Sequence, residues 1–262
     1  MKTNNRSLSR RLSPVNVLSP ALGCIIGWGA FVMPGNTFLP KAGTAGTAIA
    51  MAAATVIMIV IAVNYHFMIT KYPVAGGEFS YANMAFGRTN GFICAWFLTL
   101  SYLAIVPLNA TALALIGRNL MQNVFQFGFH YSVAGYDIYL GEILLALAAL
   151  AVFAALSISG VKSTGVFQTI LTFSLVGGVL IILIVALASP ASRWENISSV
   201  AFSPFSENGK FVGILAVVAV APWAFVGFDT IPQAAEEFNF PPKKSKRIMI
   251  ISIIFGGLIY VG

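Results

Sequence analysis

The sequence predicts an all-α polytopic membrane protein, and three observations carry that prediction. Of 262 residues, 58% are hydrophobic and only 9% charged, at a mean hydropathy of +0.87. A soluble domain carries roughly 25% charged residues, so this chain cannot build a water-solvated surface. The apolar residues gather into long runs separated by short polar stretches. Each full run reaches the roughly 20 residues a helix needs to cross about 30 Å of hydrocarbon. Finally, no run alternates in the roughly ten-residue pattern of a barrel strand. Helices, which pair their backbone polar groups internally, are the expected spanning elements.

The same numbers exclude other classes. The 24 Gly and 12 Pro show no period, and the apolar content excludes disorder. Cys24 and Cys94 both sit inside apolar runs, which is neither a disulfide framework nor a metal pattern. The net charge of +7 comes from basic residues in short stretches between spans. Topology explains these better than a nucleic-acid partner does. With no hydrolase triad, P-loop or metal-ligand cluster, neither an enzyme nor an ATP-driven pump is expected, and no cofactor is implied.

A tail, residues 1–14, opens the chain. It holds Lys2, Arg6, Arg10 and Arg11, and the apolar run behind it is too long for a signal peptide. Span one covers Val15 to Leu39, span two Gly46 to Ile69 and span three Gly91 to Leu120. Span four covers Ile138 to Ile158 and span five Phe167 to Ala188, completing a five-helix unit over residues 15–188. An outer loop, residues 189–210, follows, with a glycosylation acceptor at Asn196-Ile-Ser198. The last unit, 211–262, holds span six from Phe211 to Ala235 and a seventh beginning near Ile248. From there to Gly262 is only about 15 residues, short of a span, so the chain is expected to be a fragment.

Lys and Arg concentrate on the cytoplasmic side of membrane proteins. A cytoplasmic N-terminus puts Lys2, Arg6, Arg10, Arg11, Lys71, Arg88, Lys162, Lys243, Lys244, Lys246 and Arg247 inside, against Lys41, Arg118, Arg193 and Lys210 outside. That is 11 to 4, and the inverse topology reverses the ratio. The expected location is the plasma (inner) membrane with the N-terminus cytoplasmic. Asp137, Glu142, Glu195 and Glu207 then fall on the outer side.

Two spans are interrupted. Span one contains the run GCIIGWGAFVMPG, and span six contains APWAFVGFDTIPQAAEE. Gly lowers helix stability by about 1 kcal/mol and Pro removes a backbone hydrogen bond. Clustered at mid-depth, they favour a local break, tolerated only where protein or a cavity satisfies the freed groups. The bland reading is close helix packing, since small residues let helices approach. Two breaks five spans apart favour a binding site built from two repeats that each begin with a broken helix. Asp229 is the single acidic residue well inside a span. It is a candidate proton carrier or ammonium partner, or simply a cap on the second half of span six. Trp28, Trp223 and Phe225 offer flat faces beside the breaks, for a substrate or for ordinary packing. His66, near the cytoplasmic end of span two, reads as a packing histidine, with a proton role as the alternative.

These stretches, with KYPVAGGEFSYANMAFG after span two and GVKSTGVFQ at the entry to span five, resemble the amino acid–polyamine–organocation superfamily of permeases. The resemblance implies a leucine-transporter-type inverted-repeat fold, the chain holding the first five-helix repeat and the start of the second. It implies secondary transport of amino acids or related amines by alternating access, with coupling to H+ or Na+ left open. By position, Gly27, Trp28 and Gly29, with Ile25 nearby, would receive a substrate carboxylate. Trp223, Phe225, Val226 and Gly227 would line the other side, and Asp229 falls where related exchangers carry an acidic residue. Trp28 stands where the family usually has a small residue. Ser174 falls where some proton-coupled members place a Lys. The competing expectation is a non-transporting sensor, or an inactive truncated product, on the same fold.

Overall fold

The computed structural model describes residues 10–133, 135–158, 161–190, 193, 195, 201–202 and 209–261. The expected glycosylation acceptor at Asn196 lies outside them.

Ser13 starts the first helix. Its hydroxyl accepts the Asn16 N–H at 3.3 Å, and Pro14 occupies the first turn, where no N–H is needed. Helix α1 runs Pro14–Ile25 and stops at the Gly-rich run. Gly27, in an extended conformation, starts α2 (Trp28–Met33). A π-turn over Pro34–Phe38 leads into α3 (Leu39–Lys71), which kinks at Gly43, where φ is +75°. A short helix α4 (Gly77–Phe86) precedes the long α5 (Arg88–Met121). Next come two four-residue strands, β1 (His130–Val133) and β2 (Tyr136–Tyr139), paired antiparallel with His130 opposite Tyr139. This hairpin is the one addition to the expected all-α class among the described residues, and it lies between spans. Helices α6 (Leu140–Ile158) and α7 (Val161–Ala188) complete the first unit. Helix six is broken: α8 (Lys210–Val220), a 3-10 stretch over Ala221–Phe225, an irregular turn, then α9 (Thr230–Gln233). The seventh helix, α10 (Ser245–Val261), begins three residues earlier than expected.

Five helical segments among the described residues are long and apolar enough to cross a membrane. One of them, Pro14–Lys71, contains both spans one and two. Contacts at the two ends show which connecting segments lie together. Leu12 bonds to Glu237 and Asn239 through its backbone N–H and C=O, both at 3.0 Å. The residues before helix one therefore lie beside those after helix six. At the other end, the N–H groups of Ala45 and Gly46 bond the Ala201 carbonyl at 2.9 and 3.2 Å. The entry to α3 thus meets the segment between α7 and α8. An even number of crossings, six, satisfies both contacts.

The core forms where α1, α3, helix six and α10 meet, with Ile25, Met51, Phe225, Met249 and Ile253 fully buried. Lipid gives no hydrophobic drive between helices, so small residues bring them close. A Cβ on Gly257 of α10 would stand 2.3 Å from the Thr55 hydroxyl of α3. By contrast α5, α6 and α7 expose large side chains such as Trp96, Phe97, Phe153 and Ile184, as lipid-facing helices do.

The far end of α5 carries an ion pair the sequence did not announce. Glu142, expected on the outer side, has a side chain only 3% exposed, and it pairs with Arg118. Arg118 donates from Nε and Nη2 to its carboxylate, and also from Nη2 to the Asp137 carbonyl. The Tyr139 N–H adds a third donor to the carboxylate at 3.0 Å. This pins the hairpin across α5 and α6. Removing one partner of a buried pair strands the other's charge, at about 3 kcal/mol. Arg118→Leu is therefore expected to lower the melting temperature in detergent clearly, with Arg118→Lys intermediate. An unchanged melting temperature would show that the pair is dispensable.

Candidate functional site

Helix one unwinds at Ile26 and Gly27. The Ile26 N–H still reaches the Leu22 carbonyl at 2.8 Å, and the Gly27 N–H reaches Cys24 at 3.3 Å. The Ile25 carbonyl instead accepts the hydroxyl of Tyr260 from α10 at 3.2 Å. Trp28 and Gly29 begin α2, where N–H groups precede any intrahelical acceptor. Both are half-buried.

Helix six unwinds over Val226 to Asp229. Gly227 has φ of +123°, a conformation L side chains avoid. Its carbonyl accepts the Thr230 hydroxyl at 2.7 Å, and its N–H donates to Asp229 Oδ1 at 2.8 Å. Asp229 precedes α9, yet its side chain makes no capping bond to that helix. The capping reading is corrected accordingly: the carboxylate reaches backward to Gly227 and sideways to α5. Tyr102 of α5 donates its hydroxyl to Asp229 Oδ2 at 2.5 Å.

The unwound turn of helix six packs on the last turns of α1, just before its break. A Cβ on Gly227 would lie 2.3 Å from Cys24 Cβ and 3.0 Å from the Ala21 carbonyl. Of the residues named from sequence, Ile25 and Phe225 are packed in the core, where Gly256 of α10 meets both. Gly27, Trp28, Gly29, Val226 and Asp229 are half-buried and Gly227 is buried. Trp223 stands apart, 52% exposed. Residues two apart face different sides of a 3-10 or an α-helix alike, so with Phe225 packed inward Trp223 faces out.

Span five also turns differently from expectation. Ser174 is exposed, whereas Thr172 is buried and donates its hydroxyl to the Ser19 carbonyl of α1 at 2.9 Å. Beside this contact, α1, α6 and α7 border a cavity of about 330 Å³ that reaches Gly23 and Cys24. His66 Nδ1 lies 3.1 Å from the Ser245 hydroxyl, in line with its packing role.

Several polar residues of the site escaped the sequence reading. Gln233 of α9 donates its amide to the Tyr102 oxygen at 2.5 Å and to Glu78 Oε2 of α4 at 3.4 Å. Asp229, Tyr102, Gln233 and Glu78 thus form one chain of polar groups from the helix-six break to α4. Polar side chains in a span normally face the protein interior. That rule would have flagged Tyr102, without naming its partners.

The amino acid permease family profile matches residues 12–262. The chain belongs to this family. Among the permease's relatives, the L-methionine/branched-chain amino acid exporter YjeH of Escherichia coli is 27% identical over 252 residues, 95% of this chain and 53% of its own. The methylthioribose transporter of Bacillus subtilis is 25% identical over 99% of this chain and 55% of its own. The branched-chain amino acid permease BcaP of Bacillus subtilis is 25% identical over 99% of this chain and 54% of its own. The chain spans about half the length of these curated relatives. The family resemblance drawn from four sequence stretches is borne out over nearly the whole chain.

Proposed function

We propose that this permease is a secondary active transporter of amino acids or related amines, working by alternating access around the two helix breaks. The observation that carries the proposal is the packing of the unwound turn of helix six on the last turns of α1, next to that helix's own break, with an intramembrane carboxylate at Asp229. An unwound helix presents N–H groups to an anion and carbonyls to a cation, which suits a zwitterion. Gly27, Trp28 and Gly29 would meet its carboxylate. Val226 and Gly227 would flank the amine, with Asp229 as its partner or as the proton carrier. Ile25 and Phe225 would form the apolar floor, and Trp223 would join only if helix six rewinds. Among the described residues no cation pairs with Asp229, which leaves its charge for a substrate ammonium or a proton. The charge bias supports a cytoplasmic N-terminus, and the proposed location is the plasma (inner) membrane. The names of the relatives make branched-chain amino acids and methionine the first substrates to try.

The test is uptake into proteoliposomes holding the complete protein, with radiolabelled L-leucine, L-methionine and L-arginine. Saturable uptake or exchange of at least one is expected. No transport of any of the three under a proton or a sodium gradient would favour the sensor reading instead.

A further inference from the structure

We propose that Glu78 is a second titrating carboxylate of the permease, joined through Gln233 to Tyr102 and Asp229, whose protonation latches α4 against the broken helix six and whose ionisation releases it. This rests on the transport reading above for its purpose, but not for its physics.

The contact between α4 and helix six is close yet weakly bonded. A Cβ on Gly77 would stand 3.0 Å from Gln233 Cγ and 3.3 Å from its backbone nitrogen. The direct bonds across it are long. Gly76 N–H reaches the Gln233 carbonyl at 3.4 Å, and Ala75 N–H reaches Glu236 Oε2 at 3.3 Å. The Gln233 amide to Glu78 is 3.4 Å. Such a contact holds in one protonation state and opens in another without breaking a strong bond.

Glu78 has the environment of a carboxyl that keeps its proton. An ionised carboxylate offers about four acceptor positions. Here Oε2 receives one long bond from Gln233 and Oε1 is buried without a hydrogen-bond partner, while the Glu78 backbone N–H and the Tyr65 hydroxyl stand close enough to the carboxyl to favour its charged form in part. A buried acceptor left without a donor is costly when charged. Around it stand Tyr65 of α3, Cys94 and Tyr102 of α5, Asp229 of helix six and Tyr81 one turn along α4. Among the described residues no Lys, Arg or His pairs with it.

Burial raises the Glu78 carboxyl above the ordinary range, and the Asp229 charge adds to this. Its own backbone N–H, the Tyr65 hydroxyl and the Gln233 amide oppose it without cancelling it. The Tyr81 hydroxyl, itself buried and unpartnered, is pushed up to about 12, by burial first and Glu78 second. A docked carboxyl with a raised pKa binds its proton more tightly than the undocked one. Docking is therefore undiminished below the ordinary carboxylate range. It weakens as pH rises from there through the raised value.

Hydrogen exchange on the complete protein in nanodiscs, read by mass spectrometry and corrected for the intrinsic pH dependence, tests the latch directly. Protection of residues 75–81 is expected to fall from acid to neutral pH as Glu78 ionises. In Glu78→Gln it is expected to stay high throughout. Uptake of the three labelled amino acids should lose its dependence on interior pH in the same variant. Flat protection in the wild type, or an unchanged pH response in Glu78→Gln, would overturn the proposal. If that variant does not accumulate, the wild-type profile decides alone. A pH-dependent latch without any uptake would leave this inference standing and remove the transport reading.

Discussion

Asp229→Asn in the complete protein is expected to cut the maximal uptake rate by about ten- to a hundredfold while membrane abundance holds. Hydrogen bonds to a charged group contribute about 1.5–3 kcal/mol, and 1.4 kcal/mol is a factor of ten. Asparagine has nearly the same shape, and its Oδ1 can still accept the Gly227 N–H, so the turn over Val226 to Asp229 keeps its local support. What disappears is the charge, and with it the acceptor for the Tyr102 hydroxyl. Tyr102 already receives the Gln233 amide, so an amide donor in place of Oδ2 competes for the same oxygen. Initial rates at several pH values, beside surface abundance, measure the effect. Wild-type kinetics at every pH would remove Asp229 from both the ammonium and the proton role.

Gly227→Ala has a still larger expected effect, on folding itself. At φ of +123° the backbone is strained for any L side chain, at about 1–3 kcal/mol. The added methyl would also overlap Cys24 Cβ at 2.3 Å and crowd the Ala21 carbonyl at 3.0 Å. Overpacking of this kind costs about 1–3 kcal/mol more. Together these approach the whole stability of many domains, so little monodisperse protein is expected on size exclusion. Cys24→Gly removes the overlapping Cβ and leaves the φ strain. The double variant is therefore expected to recover only part of the loss. A fully stable Gly227→Ala protein would mean that helix six does not lie against the last turns of α1 as described.

The legible part of this molecule is the part that local chemistry decides. The spans could be read because burial in lipid depends on composition over about twenty residues. The breaks at Gly27 and Gly227 could be read because Gly and Pro act on their own backbone. The inside–outside charge bias reads the same way, although it gives a direction only as an expectation. Boundaries moved by a few residues, as at the start of α7 and α10, because helices continue past the apolar run into polar turns.

Partners distant in the chain were a different matter. Tyr102 and Asp229 are 127 residues apart, and Glu78 and Gln233 are 155 apart. No spacing rule joins them. The Arg118 to Glu142 pair is separated by a hairpin whose short strands have no span-like pattern. Thr172, rather than Ser174, meets α1 because rotation of a helix about its axis is set by what it packs against. Lipid and protein interior are equally apolar, so hydrophobicity does not mark the inner face. Trp223 and Phe225 separated for a similar reason: residues two apart face different sides of a helix, and only packing decides which ring turns inward.

The amino acid sequence by itself thus determined the class, the long apolar runs and the two places where the helices give way, since each is a property of a short stretch and its solvent. Tertiary structure decided which side chains meet at those places. A hydrogen-bond partner is chosen by proximity in space, and for this chain that proximity exists only once α4, α5 and helix six are packed together.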